Sequence, residues 1–376
     1  MYALDRQIRR ATRRDGRVDI KSLDLTGLRW FMRDLGKPEL RGLKVYKHIW
    51  QKGGTDFADV EGIPKAVRAE LSKRAVITFL DEHTRLCSED GTTKFLWRLQ
   101  DGSHIESVLI PDENRWGPTP ARYTLCVSTQ VGCAMACTFC LTGDLGLKRN
   151  LKAAEIASQV HQVQQYIKTE LAGRRLTNVV MMGMGEPLHN FDNVVVALRT
   201  MLSEQALNLS HRKVTVSTVG LVPKLEKLAQ TLPVNIAVSL NATTEAQRRE
   251  VMPITLRYSM QELMDACRRL PLPSGKRITF EYVMLGGFND TDADAARLCE
   301  LMRDVPAKVN LIPYNENPDR DIRRPSAQRV KSFQHYLVSR GVHCSVRTTR
   351  GIDVSAACGQ LGKAVERMAE RIAQPG

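Results

Sequence analysis

The chain has 376 residues, 43 % hydrophobic and 26 % charged, so an ordinary globular core can form and global disorder is excluded. No apolar run reaches the ~18 residues of a membrane-spanning helix, and the Arg-rich start has no apolar signal core, so the reading is a cytoplasmic chain with no membrane partner. Lys and Arg total 55 against 41 Asp and Glu, a net charge of +14 that points to a polyanionic partner, nucleic acid first.

Residues 1–17 carry Arg6, Arg9, Arg10, Arg13, Arg14 and Arg17 against Asp5 and Asp15. Singly these are solvated surface charges; as a cluster they read as a phosphate-contacting arm. Short helical patterns follow, broken at Gly36-Lys37-Pro38 and Gly53-Gly54 and restarted at Pro64. Residues 1–80 therefore form a small helical accessory module. Residues 81–121 read as a connector with β-hairpins, turning at Asp90-Gly91 and Asp101-Gly102.

From residue 122 to 376 the rhythm changes. Strand-like runs at 123–129, 178–182, 213–218, 234–240, 277–284, 308–313 and 343–348 alternate with amphipathic segments. The segments lie at 153–171, 193–202, 222–232, 260–270, 294–304 and 327–340, with a final helix after residue 358. Repeated β-then-α units predict an α/β fold, a parallel sheet under helices. Six or seven units are too few for a closed eight-unit barrel, so the expectation is a partial (β/α)6 barrel. Its ligands belong at the C-terminal ends of the strands.

Nine cysteines in a reducing compartment argue for metal or redox chemistry before disulfides. Cys133, Cys137 and Cys140 stand at C-x3-C-x2-C on a loop leaving the first strand. They can be a structural zinc site, buried small hydrophobes, or ligands of a [4Fe–4S] cluster with one iron left open. No fourth Cys or His lies within reach of the loop, which disfavours zinc. Cys126 alone reads as a buried strand residue. Cys267 and Cys299 fall on helices and read as packing, and Cys87 and Cys344 fit no motif. Gly183-Met184-Gly185-Glu186-Pro187 lacks the third glycine of a dinucleotide fingerprint and is not one.

The three-cysteine spacing, with Phe139 before its last member, resembles the signature of radical S-adenosylmethionine (SAM) enzymes. More narrowly, Leu125-Cys126-Val127-Ser128-Thr129-Gln130-Val131-Gly132-Cys133, Met182-Gly183-Met184-Gly185-Glu186-Pro187 and Ala356-Ala357-Cys358-Gly359-Gln360-Leu361 resemble the RlmN/Cfr family of radical SAM RNA methyltransferases. The likeness runs from about residue 21 to 365. It implies that Cys133, Cys137 and Cys140 hold a [4Fe–4S] cluster, and that two SAM molecules are used per turnover. One SAM would methylate Cys358; the other would yield a radical that takes a hydrogen from that methyl group. The resulting carbon radical would add to an adenine, and Cys126 would then attack the Cys358 sulfur, freeing the product as a transient disulfide forms.

The same resemblance assigns SAM contacts to Gly185, Glu186, Ser217, Ser239, Leu240, Asn241 and Asn315, and a proton acceptor to Glu106. Taken alone, each SAM position reads as a turn residue or helix cap, and Glu106 as a solvated hairpin residue. A helix following Cys358 would favour its thiolate. The chemistry explains the machinery, because an aromatic C–H carbon is not a nucleophile and cannot be methylated by simple displacement. The substrate expected is 23S ribosomal RNA, with tRNA as a second target, and the electron donor a flavodoxin-like protein. The chain should act as a monomer. Residues 114–122 are longer than the family loop and 140–147 lean toward the Cfr branch, which modifies adenine carbon 8. Glu186-Pro187 and Thr349-Arg350-Gly351 lean toward the RlmN branch, which modifies carbon 2. Carbon 2 is the reading; carbon 8, or a paralogue with another RNA, is the alternative. Phosphate contacts are expected from the N-terminal arginines, Arg212-Lys213, Arg323-Arg324, Arg347 and Arg350.

Overall fold

The structure is a computed structural model and describes residues 2–112, 122–171, 174–273, 275–317 and 320–362. Most of the long 114–122 loop and the helix expected after Cys358 lie outside the described residues.

Four helices open the chain: α1 (Tyr2–Ala11), α2 (Leu25–Asp34), α3 (Leu40–Trp50) and α4 (Lys65–Arg74). Asp24 starts α2 by accepting a hydrogen bond from the Gly27 N–H at 2.8 Å, replacing one of the bonds a helix N-terminus lacks. The arginine-rich start is no frayed tail. It forms α1, and Arg10 pairs with Asp192 of the main body at 2.5 Å.

Ten strands form one sheet. In chain order they are β1 (Asp81–Cys87), β2 (Thr93–Arg98), β3 (His104–Pro111), β4 (Tyr123–Cys126), β5 (Leu176–Met181), β6 (Val214–Thr218), β7 (Asn235–Ser239), β8 (Ile278–Met284), β9 (Ala307–Pro313) and β10 (Cys344–Val346). Each lies beside its neighbour in sequence. The pairings from β4 to β10 are parallel, and those among β1 to β4 antiparallel. Six β/α units and a seventh parallel strand make the partial barrel. Its helices are α5 (Ala153–Glu170), α6 (Phe191–Leu202), α7 (Val222–Thr231), α8 (Met260–Arg269), α9 (Asp292–Met302) and α10 (Ala327–Ser339).

The hairpins of the connector also join the barrel sheet: β3 pairs with β4 from Val108↔Cys126 to Pro111↔Tyr123. Hairpin periodicity is local, whereas the partner of an edge strand is set by tertiary contacts.

The core lies between the sheet and its helices. Ile156, Val160, Val163 and Ile167 recur along one face of α5 and are all buried. Each contributes about 1.5–3 kcal/mol by leaving water. The accessory module seats on α5 and α6. The Tyr46 hydroxyl bonds Thr200 Oγ1 at 3.1 Å, Trp50 meets the His161 ring edge-to-face, and Arg199 pairs with Asp24.

The sheet curls until its two ends meet. The β1–β2 turn reaches the segment beyond β10. Ser88 Oγ donates to Asp353 at 2.6 Å, the Gly351 N–H to Asp90 at 2.9 Å, and Lys94 Nζ to the Ser355 carbonyl at 3.3 Å. The ends are joined by side chains and not by a ladder, so the barrel stays partial.

One buried cation braces the C-terminal edge. Arg248 donates to the carbonyls of Val219, Ser239 and Leu240 and to Thr255 Oγ1. It is 1 % exposed, and burial lowers it to about 10, which still leaves it charged at neutral pH. Arg248→Met would orphan three buried carbonyls. Urea unfolding should show a stability loss of about 3 kcal/mol or more, against less than about 1 kcal/mol for the exposed Arg249→Met.

Candidate active site

The loops leaving β4 and β5 zip together. The Gly183 N–H donates to the Val127 carbonyl, the Thr129 N–H to the Met184 carbonyl, and the Glu186 N–H to Gln130 Oε1. Ser128 Oγ donates to the Glu106 carbonyl at 2.6 Å and accepts from the Met184 N–H. Two glycines make the approach possible. Gly185 has φ +97°, and a Cβ there would meet the Gln130 side chain at 2.4 Å. Gly132, at φ +75°, would place a Cβ 1.8 Å from the Gly146 carbonyl oxygen. That carbonyl accepts the Cys133 N–H and fixes the start of the cysteine loop.

A chamber opens at the C-terminal ends of β4 to β10. Cys133, Cys137, Cys140 and Cys358 line it, with Gly185, Glu186, Ser217, Ser239, Asn241 and Asn315. Ten sequence-predicted site residues thus share one cavity. Burial pushes Cys133 up to about 12, and moves Cys137 and Cys140 in the same direction. Such sulfurs shed their protons to a strongly positive partner. Among the described residues, no three His, Cys, Asp or Glu groups converge tightly enough for a single metal ion. The three thiols line a common chamber. They fit a [4Fe–4S] cluster with a coordination position left for SAM.

Glu186 lies against the cysteine loop and is 3 % exposed. One carboxylate oxygen accepts the Leu188 N–H and the other the Val219 N–H, both at 2.9 Å. Burial pushes its carboxyl up to about 7, and those hydrogen bonds oppose the shift. An ammonium group is the ligand such a carboxylate suits. Asn241 sits at φ +55°, its side chain accepting from the Val283 N–H and donating to Met252. Asn315 Nδ2 donates to the Cys358 carbonyl at 3.1 Å, so this residue holds the Cys358 backbone as well as facing the cavity.

Cys126 and Glu106 stand behind the chamber wall. Cys126 pairs with Val108, and Glu106 lies two residues from Val108 on β3, so both face the barrel interior. Burial pushes the Cys126 thiol up to about 12. The nearby Cys358 adds to the push and Arg347 opposes it. Two thiols 232 positions apart in sequence are thus electrostatic neighbours. Glu106 is fully buried, its carboxylate 3.9 Å from Lys94 Nζ. It is not the solvated hairpin residue that its local sequence suggests.

Three further corrections concern named residues. Leu240 does not line the chamber; its side chain is buried, its N–H bonds the Glu281 carbonyl and its carbonyl takes Arg248. Arg347 is no surface phosphate contact. It is half-buried and lines the chamber beside Cys358, Glu281 and Cys126, whose negative charge would favour its own. Arg324 is spent on the Tyr314 carbonyl and Asn315 Oδ1. Sequence reasoning missed Glu281, which lines the chamber and is raised by burial while Arg347 pulls it down. Its signal was a lone acid inside an otherwise apolar strand, Ile278–Met284.

Comparison with known proteins agrees with this geometry. Residues 127–299 match the Radical SAM superfamily, and residues 18–77 match the ribosomal RNA large subunit methyltransferase N-terminal domain. A "Dual-specificity RNA methyltransferase RlmN" from Anaeromyxobacter is 49 % identical, over 93 % of this chain and 92 % of its own. The protein of that name from Geobacter sulfurreducens is 47 % identical, over 92 % of each chain. A radical SAM methyltransferase from Sphaerobacter thermophilus superposes with a TM-score of 0.83 at 41 % identity, covering 92 % of this chain and 99 % of its own. With its cysteine loop, SAM-side residues and accessory module all in place, the chain belongs to the RlmN family of radical SAM RNA methyltransferases.

Proposed function

We propose that this enzyme methylates carbon 2 of adenine in 23S ribosomal RNA and in tRNA, through a methyl group carried on Cys358 and a transient Cys358–Cys126 disulfide. The observation that carries the reading is the meeting of Cys126 and Cys358 around Arg347, next to the chamber of the three-cysteine loop. An enzyme that only abstracts hydrogen from a small substrate has no use for a second buried thiol there. The relatives' RlmN name supports carbon 2, the branch to which that resemblance ties it.

Cys133, Cys137 and Cys140 would hold the [4Fe–4S] cluster, with Gly185, Glu186, Ser217, Ser239, Asn241 and Asn315 around SAM. When bound, the cluster supplies the electron that makes radical chemistry at an aromatic C–H carbon accessible. The protein's own part begins at Cys358. Its sulfur takes a methyl group from one SAM, forming the S–CH3 bond as the sulfonium S–CH3 bond breaks. Asn315 holds the Cys358 carbonyl, so the sulfur is presented from a fixed backbone. A second SAM is used for the radical step. Once the methylene carbon is joined to the base, the unpaired electron would return to the cluster and the ring hydrogen leaves as a proton, for which Glu106, on the Cys126 side of the barrel, is the acceptor we assign. Cys126 then attacks the Cys358 sulfur. The S–S bond forms, the S–methylene bond breaks, and its electron pair stays with the methylene carbon, which takes a proton to become the product methyl. Two electrons from an external thiol return both cysteines. A flavodoxin-like protein is the one-electron donor we assign, the working unit is a monomer, and the setting is the cytoplasm. Among the described residues no helix is long and apolar enough to cross a membrane.

Anaerobic turnover with methyl-labelled SAM tests the reading, with protein-free ribosomal RNA and bulk tRNA supplied separately and nucleosides read by mass spectrometry. Label should appear in 2-methyladenosine; label in 8-methyladenosine would move the assignment to the other carbon. Cys358→Ala should abolish both protein methylation and product while keeping its iron and sulfide. Cys126→Ala should methylate Cys358 normally and accumulate a covalent protein–RNA adduct; normal turnover by this variant would refute the resolving role.

The glycine geometry makes a separate prediction. Gly185→Ala forces a Cβ into Gln130, so SAM affinity by equilibrium dialysis should fall at least tenfold, about 1.4 kcal/mol, with iron content retained. Gly275→Ala, where a Cβ meets open space, should leave SAM binding unchanged.

A further inference from the structure

The chamber faces the C-terminal ends of the strands, and a ring of positive charge stands at the opposite pole. Arg122, Arg175, Arg212, Lys213, Arg277 and Lys308 stand at or just before the starts of β4, β5, β6, β8 and β9, and all are exposed. None of the six forms an ion pair among the described residues. Some cations elsewhere are paired, Arg269 with Glu226, Arg303 with Glu300, and Arg149 with Asp101 and Glu155. Crowding is real at this rim. Burial first, and the charge of Arg212 second, hold Lys276 below the ordinary lysine value. Glu170, Glu281 and Asp304 are the acids nearest to it in the chain.

The rim surrounds an opening. Inside the lower barrel is a cavity of about 490 Å3, lined by Thr124, Thr215, Thr279, Asn310 and Ser345, with Lys308 and Arg350. That volume falls within the ~300–1,000 Å3 of ordinary ligand pockets. Met182, Glu281 and Arg347 line both this cavity and the chamber above, so the two spaces adjoin across them. Hydroxyl and amide groups suit a sugar and a base edge, whereas the chamber lining is sulfur-rich and apolar.

Resting on the Cys358 carrier assigned above, we infer that the rim at the N-terminal ends of the strands is the RNA-docking face. The lower lumen is the passage by which an unstacked adenosine reaches Cys358. A flexible loop of RNA lays its phosphates on the rim, and one base turns inward while SAM and the cluster occupy the other pole. The arrangement removes a steric conflict, since cofactor and polymer approach the same sulfur from opposite ends. Helix C-termini also end at this pole and carry partial negative charge. If the cations served only to offset those dipoles, their loss would lower stability and leave RNA binding alone.

The test is binding of an RNA hairpin with adenine in its loop, and of bulk tRNA, to the full chain at several salt concentrations. Arg212→Glu/Lys213→Glu and Arg277→Glu/Lys308→Glu should each weaken binding at least tenfold at low salt. Each should also flatten the slope of log K against log salt by about 1.4, two single-strand phosphates at about 0.7 each. Arg9→Glu/Arg14→Glu, on the N-terminal module, should change binding less than threefold. Methylation of Cys358 by SAM, read by intact mass without RNA, should be unchanged in the rim variants. Rim variants that bind RNA as wild type does overturn the proposal, as does loss confined to the N-terminal pair. Should a reversal fail to fold, Arg212→Gln/Lys213→Gln reads the same slope with half the charge change. Absent Cys358 methylation in the wild type would refute the carrier while the binding comparison still judged the rim.

Discussion

The site depends on the curl of one sheet. Cys126 ends the first parallel strand, and Cys358 follows the last, so a flat sheet would hold the two sulfurs at opposite edges. Twist and curvature bring the edges round, and the β1–β2 hairpin seals them through Ser88–Asp353, Asp90–Gly351 and Lys94–Ser355. These bonds hold the backbone just before Cys358. From the other side the Leu141 N–H donates to the Gly359 carbonyl and Thr142 Oγ1 to the Leu361 carbonyl, tying the same segment to the cysteine loop. The reactive cysteine is therefore slung between the edge hairpin and the cluster loop. Antiparallel strands that look accessory in the sequence are what allow a partial barrel to present a sulfur at its centre.

Much of this was legible from local pattern. Alternating strand and helix periodicities located all seven parallel strands, because a parallel sheet under helices needs apolar strands and one-faced helices. C-x3-C-x2-C and the Gly183-Met184-Gly185-Glu186-Pro187 turn were legible because short-range chemistry dictates them. What escaped was long-range. Nothing near Thr93 or His104 says that those hairpins join the barrel, since an edge strand takes its partner from tertiary packing. Nothing near Leu240 distinguishes it from Ser239 and Asn241, yet Arg248 takes its carbonyl and the core takes its side chain. Arg347 follows a short strand and resembles any surface arginine until the curl brings it beside Cys358, Glu281 and Cys126.

The buried charges belong to one electrostatic arrangement. Arg347 faces Glu281 and the two thiols, while Lys94 sits by Glu106 on the same interior. A buried guanidinium alone would be costly, as would a buried carboxylate. Together they form an interior in which a sulfur can gain or lose negative charge against a fixed cation. Burial pushes the Cys126 thiol up, so it stays protonated at rest. Arg347 opposes that shift and would stabilise a thiolate there.

Polarity along the barrel axis follows from the same architecture. Parallel strands put every loop that grips SAM and the cluster at one pole, leaving the other for the polymer. The exposed Arg and Lys in the chain segments that open β4, β5, β6, β8 and β9 form no ion pair among the described residues. Charge that stability does not use, placed around a polar lumen adjoining Cys358, is suited to a substrate that is itself a chain of phosphates. A single target base needs only the lumen, but holding it there against restacking requires its neighbours to be gripped outside. On this structure the grip and the chemistry sit at opposite ends of the same seven strands.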